Sequence, residues 1–188
     1  LYADFAQRNP KHELASQAQY MAALTALDSD DHAIAKAHST TFLTQFSNDK
    51  LLPDVLFIGA EARLLLKEYS DAEQQYRAFL QKAPTHANAP QARVRRGLAL
   101  LLAGRNAEAG AALEAANKEL KDPTLQSEAQ ALIGRSWIAQ LQFEKAAQAF
   151  ETSLKTKPDR EQTDETLLAL ADVYRKLKAM APDFIVEG

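Results

Sequence analysis

Cysteine is absent from the 188 residues, which excludes disulfide staples, thiolate metal sites and a cysteine nucleophile. Glycine and proline are scarce, at six and seven, and most stand between periodic segments, where they act as punctuation. β-Branched residues are sparse beside alanine and leucine, a balance that favours helix over sheet. No apolar run approaches the roughly 20 residues a bilayer-spanning helix needs, so no direct membrane insertion is expected. Neither sign of charge dominates: 22 Lys and Arg against 25 Asp and Glu leave a net charge of −3, which offers no electrostatic footing for nucleic acid. The phosphate-cradling glycine loop, the serine nucleophile elbow and the zinc-binding His-Glu-X-X-His helix are all missing. An initiating methionine and a signal peptide are also missing, so the chain reads as a mature fragment or a cloned domain. What remains, 46% apolar and 25% charged residues, is the composition of an ordinary folded protein.

Against these absences stands an echo. Ala35, Ala72, Ala109 and Ala146 are spaced 37 residues apart. Twelve residues before each stands a small residue: Ala23, Ala60, Gly97 and Gly134. Four residues after the last three marks comes a bulky side chain, Tyr76, Leu113 or Phe150, where the first copy has Ser39. A fixed period of this length is the signature of stacked repeats that pack on their neighbours.

Each period reads as two helices. In the second copy residues 53–67 carry apolar residues at helical spacing, with a break at Glu68 and Tyr69. Ser70 with Glu73 has capping-box form, and Ala72, Tyr76, Phe79 and Leu80 make the stripe of a helix closed before Pro84. The expected organisation is one array over 1–188: the end of a preceding repeat (1–10), four repeats (12–47, 53–84, 90–121 and 124–158), a fifth first helix or capping helix (161–180) and a tail (181–188). Intra-repeat breaks are expected at Ser29–Asp31, Gly104–Asn106 and Leu141–Gln142. The small residues let paired helices approach to about 8–10 Å.

Two stretches, EYSDAEQQYRAFLQKAP and QFEKAAQAFETSLKTKP, carry an aromatic break, an alanine, an aromatic four on and a closing proline (Pro84, Pro158). In this the chain resembles the tetratricopeptide repeat family. The third copy keeps Gly97, Gly104 and Ala109 but has Asn106 where an aromatic is usual, and the first copy diverges most. The resemblance implies an all-α, right-handed superhelical solenoid of antiparallel helical hairpins. It also implies a non-catalytic scaffold that binds a peptide or protein in a concave groove, without cofactor or metal. The spacing of 37, longer than the common 34, is similar to variants in bacterial cell-envelope proteins, namely the outer-membrane assembly lipoprotein and the periplasmic Tol–Pal coordinator. That favours a bacterial periplasmic location over a cytoplasmic one.

Charge is segregated along the array. From Gln74 to Ala107 there is no acidic residue, while Arg77, Lys82, Arg93, Arg95, Arg96 and Arg105 are basic. In this family the first helix of each repeat lines the inner surface, so Arg93, Arg95 and Arg96 are candidates for docking an acidic segment. Helical phase adds Tyr20, Phe57, Glu61, Gln91, Leu98, Glu128 and Arg135 to the candidate groove. A solvated face with intra-repeat ion pairs is the competing reading of the arginines. Of the corresponding places for the family's chaperone-type carboxylate clamp, only Arg95 is a cation, which argues against such a clamp. His12, His32, His38 and His86 read as surface histidines, and Trp137 as a packing residue between helices. The alternatives to an adaptor are a recruiting arm of a larger multidomain enzyme or regulator, and self-association of the chain.

Overall fold

The structure, a computed structural model, describes residues 1–157, 159 and 161–180. Among them every regular element is a helix: α1 (Tyr2–Arg8), α2 (Ala15–Asp28), α3 (His32–Gln45), α4 (Leu52–Leu65), α5 (Tyr69–Lys82), α6 (Ala89–Leu102), α7 (Asn106–Asn117), α8 (Pro123–Ala139), α9 (Phe143–Thr156) and α10 (Thr163–Met180). The chain divides into two compact units, Leu1–Ala103 and Gly104–Gly188. The boundary falls inside the third expected repeat. Pro158 and the expected tail 181–188 lie outside the described residues.

Within unit 1, α2 packs on α3, α3 on α4, α4 on α5 and α5 on α6, while α2 also meets α4. Within unit 2, α7 packs on α8, α8 on α9 and α9 on α10. Each unit is therefore a stack of antiparallel hairpins whose contacts run between near neighbours in sequence. The four marked alanines are all 0% exposed, and so are Ser39, Tyr76, Leu113 and Phe150 four residues on. At Gly134 the reason for a small residue is direct: a Cβ there would lie 2.6–2.8 Å from the Phe150 ring. Each fully buried aromatic contributes about 2–3 kcal/mol through transfer out of water. In the first copy Ser39 forgoes that burial, and its hydroxyl donates to the Ala35 carbonyl at 2.8 Å.

The turns inside the hairpins hold a second period. Asp30, Lys67, Gly104 and Leu141 have φ of 59°, 63°, 76° and 60°, and they too are 37 residues apart. These left-handed residues close the first helix of each pair. In three of the turns the amide of the residue just before the second helix reaches back five residues: Asp31 to the Ala26 carbonyl, Glu68 to Arg63 and Gln142 to Trp137, all at 2.9 Å. That is the Schellman closure of a helix C-terminus. Only Gly104 advertises it by residue type.

The connections between hairpins repeat as well. His12 Nδ1 accepts from the Leu14 amide at 3.1 Å, Asp49 Oδ1 from Leu51 at 2.8 Å and His86 Nδ1 from Asn88 at 3.2 Å. His12 and His86 also stack edge-on against Phe5 and Phe79. Both histidines are thus turn residues rather than plain surface ones, and half-buried His38 is bonded by Gln19. Burial pushes the His38 imidazole below its ordinary pKa.

One local expectation fails. Ser70 does not cap α5: the N-cap is Glu68, without a side-chain bond, and the break is Leu66–Glu68. Glu73 cannot close a capping box because it is 1% exposed and is held by Arg96.

Left-handed φ costs a non-glycine residue about 1–2 kcal/mol. Leu141 is 74% exposed and has little packing to lose, so Leu141→Gly should stabilise by about 0.5–1 kcal/mol. A Cβ at Gly104 meets nothing within 4 Å, so Gly104→Ala should destabilise by about 1 kcal/mol from conformation alone. Urea-melt midpoints that move in the opposite directions would refute the shared turn.

Candidate interaction surface

A helix turns about 100° per residue, so neighbouring positions point apart. In α6 this separates the three arginines. Arg96 Nε donates to Glu73 Oε1 of α5 at 2.8 Å. Arg93 Nη2 donates to the Pro84 carbonyl at 3.2 Å. Arg95 instead faces α4, with Nε 3.9 Å from Glu61 Oε1 and a third of its side chain exposed. Gln91 and Leu98, four before and three after Arg95, share its side.

Across from Arg95, Glu61 of α4 accepts the Tyr76 hydroxyl at 2.5 Å. The Tyr76 phenol is pushed well above the ordinary tyrosine range, first by burial and then by the Glu61 carboxylate. On the same side of α4, two turns earlier, Asp54 Oδ1 lies 3.3 Å from His86 Nε2. Tyr20 of α2 looks toward this row: its phenol is pushed up by burial first, then by Asp54 and Asp28. Leu65 and Leu102, four residues beyond Glu61 and Leu98, are 51% and 48% exposed. One face of unit 1 thus carries Tyr20, Glu61, Gln91, Arg95 and Leu98 together, rimmed by exposed leucines. Phe57, four residues before Glu61, shares its side of α4 and packs with its ring 6.1 Å from Tyr76 and 5.6 Å from Phe79. Arg93 and Arg96 are therefore held by partners other than Glu61. Neighbours along the sequence gave no sign of this, although the 100° step would have separated 93, 95 and 96.

In unit 2, Glu128 and Arg135 share a side of α8, seven residues apart. Arg135 Nη2 donates to Glu165 of α10 at 2.8 Å, with both side chains well exposed. The opposite side of α8 carries Gln130, Ile133 and Trp137. These open into a cleft of about 670 Å³ between α7 and α9, which sequence reasoning missed. Trp137 also packs against the core of α9 and α10. No group of three His, Cys, Asp or Glu among the described residues could hold a metal ion. No helix there is long and apolar enough to cross a membrane.

With the geometry in hand, three solved structures share the arrangement. YrrB, a TPR protein with an unusual peptide-binding site, is 18% identical, covers 91% of this chain and 89% of its own, and has a TM-score of 0.69. MamA (41-end) from Desulfovibrio magneticus RS-1 is 17% identical over 89% of this chain and 97% of its own, TM-score 0.66. TTC0263, a thermophilic TPR protein in Thermus thermophilus, is 16% identical over 93% and 87%, TM-score 0.61. No family model and no curated protein matches the sequence. The fold is that of the tetratricopeptide repeat, a helical solenoid, and the likeness at these identities is one of fold.

The two kinds of arginine predict different stabilities. Arg96→Ala leaves a buried carboxylate without its cation, which should cost on the order of 2–4 kcal/mol. Arg95→Ala, at a part-exposed pair, should stay within about 1 kcal/mol. Equal losses in thermal melts would contradict the pairing of Arg96 with a buried carboxylate and of Arg95 with a part-exposed one.

Proposed function

We propose that the chain is a non-catalytic interaction scaffold, and that the face of unit 1 built by α2, α4 and α6 holds a segment of another polypeptide. The observation that carries this reading is the gathering of Tyr20, Glu61, Gln91, Arg95 and Leu98 on one side. Polar groups there are fixed by neighbours while leucines stay exposed at the rim. Such a surface supplies apolar anchors and a few oriented polar groups. Because the helices are already ordered by their own packing, little ordering cost falls on the scaffold when it binds. The preferred segment has apolar side chains and one carboxylate for the Arg95 guanidinium, whose fork suits a carboxylate better than a point charge would. The class of partner is supported by YrrB, which shares this fold and has a peptide-binding site. Glu128 and Arg135 are proposed as a separate contact surface on unit 2. A bacterial envelope location rests on the 37-residue spacing alone.

The test is binding to an array of blocked peptides that vary in apolar and acidic content. The wild-type chain should select peptides with leucine and an acidic residue. Arg95→Glu should weaken those about tenfold while the melting temperature stays within a few degrees. Unchanged preference for acidic peptides in Arg95→Glu would overturn the reading.

A second reading, self-association, is favoured by one specific feature. A nearly wholly apolar hollow of about 480 Å³ is lined by Leu1, Tyr2, Phe5, Leu14, Gln17, Ala18 and Met21. Tyr2 is in phase with Tyr76 and Phe150, yet it is 45% exposed where they are 0% exposed. A second copy covering this face should show as concentration-dependent sedimentation that Tyr2→Lys with Leu14→Lys abolishes. A monomer at all concentrations would dismiss it.

A further inference from the structure

The cleft of unit 2 lies on the side of α8 away from Glu128 and Arg135. Its floor is Ile133 and Trp137, and its walls come from α7 and α9. The helix directions fix its two ends. Lys145, at the start of α9, stands with Nζ 4.5 Å from the centroid of the Trp137 ring. At the other end Gln126 bonds the Leu120 carbonyl, which brings the end of α7, with Asn117 and Lys118, beside Gln130. From Gln130 to Trp137 the cleft runs about 10 Å at the helical rise, the span of about three extended residues.

Asn117 Oδ1 is sealed from solvent at the wall and accepts no hydrogen bond among the described residues. Buried polar groups are normally bonded, and each exception calls for a reason. No hydrogen bond fixes that oxygen among the described residues, and the terminal torsion of the side chain is soft, so a small rotation presents it to an occupant. Gln130 and Gln148 add two more amides on the walls. Side-chain amides match the alternating donors and acceptors of an extended backbone. The aromatic floor takes an apolar side chain. Two lysines, one at each end, outweigh the single carboxylate of Glu114.

We propose that this cleft is a second polypeptide site, independent of the α2–α4–α6 face, that takes a short extended segment with an apolar residue between two acidic ones. The apolar side chain packs beside the Trp137 ring and its Lys145 cover, above the nearly buried Ile133. The carboxylates meet Lys145 and Lys118, and the backbone bonds Asn117 and its amide neighbours.

Trp137 is the one tryptophan of the chain, so its fluorescence reports occupancy. The probe is the blocked peptide acetyl-Asp-Ser-Leu-Ser-Asp-amide, with the Asn-for-Asp peptide as control. The expected result is a saturable emission change with the acidic peptide that is weakened by salt and is at least tenfold weaker with the control. Asn117→Leu removes an unbonded polar atom, so it should leave the melting temperature level or raised while weakening the peptide about tenfold. Lys145→Gln should weaken it too and flatten the salt dependence. Arg95→Glu, in unit 1, should leave the titration as it is. The proposal is overturned by the absence of a saturable change, by equal binding of the control, by full affinity in Asn117→Leu, or by loss of the signal in Arg95→Glu.

Discussion

The distance at which paired helices meet governs this molecule. Where Gly134 faces the Phe150 ring there is no room for a single methyl group. The same logic leaves Ala35, Ala72, Ala109 and Ala146 without any solvent contact. Close approach buries a large aromatic with small residues around it, and it sets how far apart the outer faces of the hairpin lie. The left-handed residue at Asp30, Lys67, Gly104 and Leu141 is the counterpart of that constraint in the backbone. Where Schellman closure ends the first helix, at Asp30, Lys67 and Leu141, the chain turns back and the second helix packs at the depth its alanine permits.

That constraint explains which parts could be read from residues alone. The alanines were legible because burial at zero clearance tolerates few side chains, so they recur in all four copies, while the bulky partner recurs in three and gives way to Ser39 in the first. The turns were not. A left-handed conformation is announced by glycine, and only Gly104 announces it. Asp30, Lys67 and Leu141 adopt it because the packed helices on either side dictate it, and the local cost is overridden by tertiary packing. Ser70 with Glu73 is the reverse case: a sound local motif loses because Glu73 is needed inside the hairpin stack by Arg96.

The interaction surface was half legible for a related reason. Helical phase offered Tyr20, Phe57, Glu61, Gln91 and Leu98, the basic run offered Arg95, and the proposed face is built from that set. The three arginines, close in sequence, point apart in space because each residue turns the helix by about 100°. Arg93 caps a carbonyl, Arg96 neutralises a buried carboxylate, and Arg95 alone looks onto the face with Glu61. The Trp137 cleft could not be inferred at all. It depends on three helices holding a polar gap open, and a tryptophan at helical spacing ordinarily signals core. Here the ring serves both: one edge packs on α9 and α10, and the face lies under Lys145.

The reach of the contacts along the chain has a consequence for how the molecule comes into being. The side-chain hydrogen bonds from Lys36 to Glu68 and from Arg96 to Glu73 join positions 32 and 23 apart, and the helices within each unit pack mainly on their neighbours in sequence. Chains whose contacts are this local fold fast, since little loop entropy stands in their way. A nascent polypeptide leaving the ribosome can settle each hairpin once the following few dozen residues have emerged, without waiting for its far end. Synthesis and assembly can therefore proceed in the same order, one period behind the other.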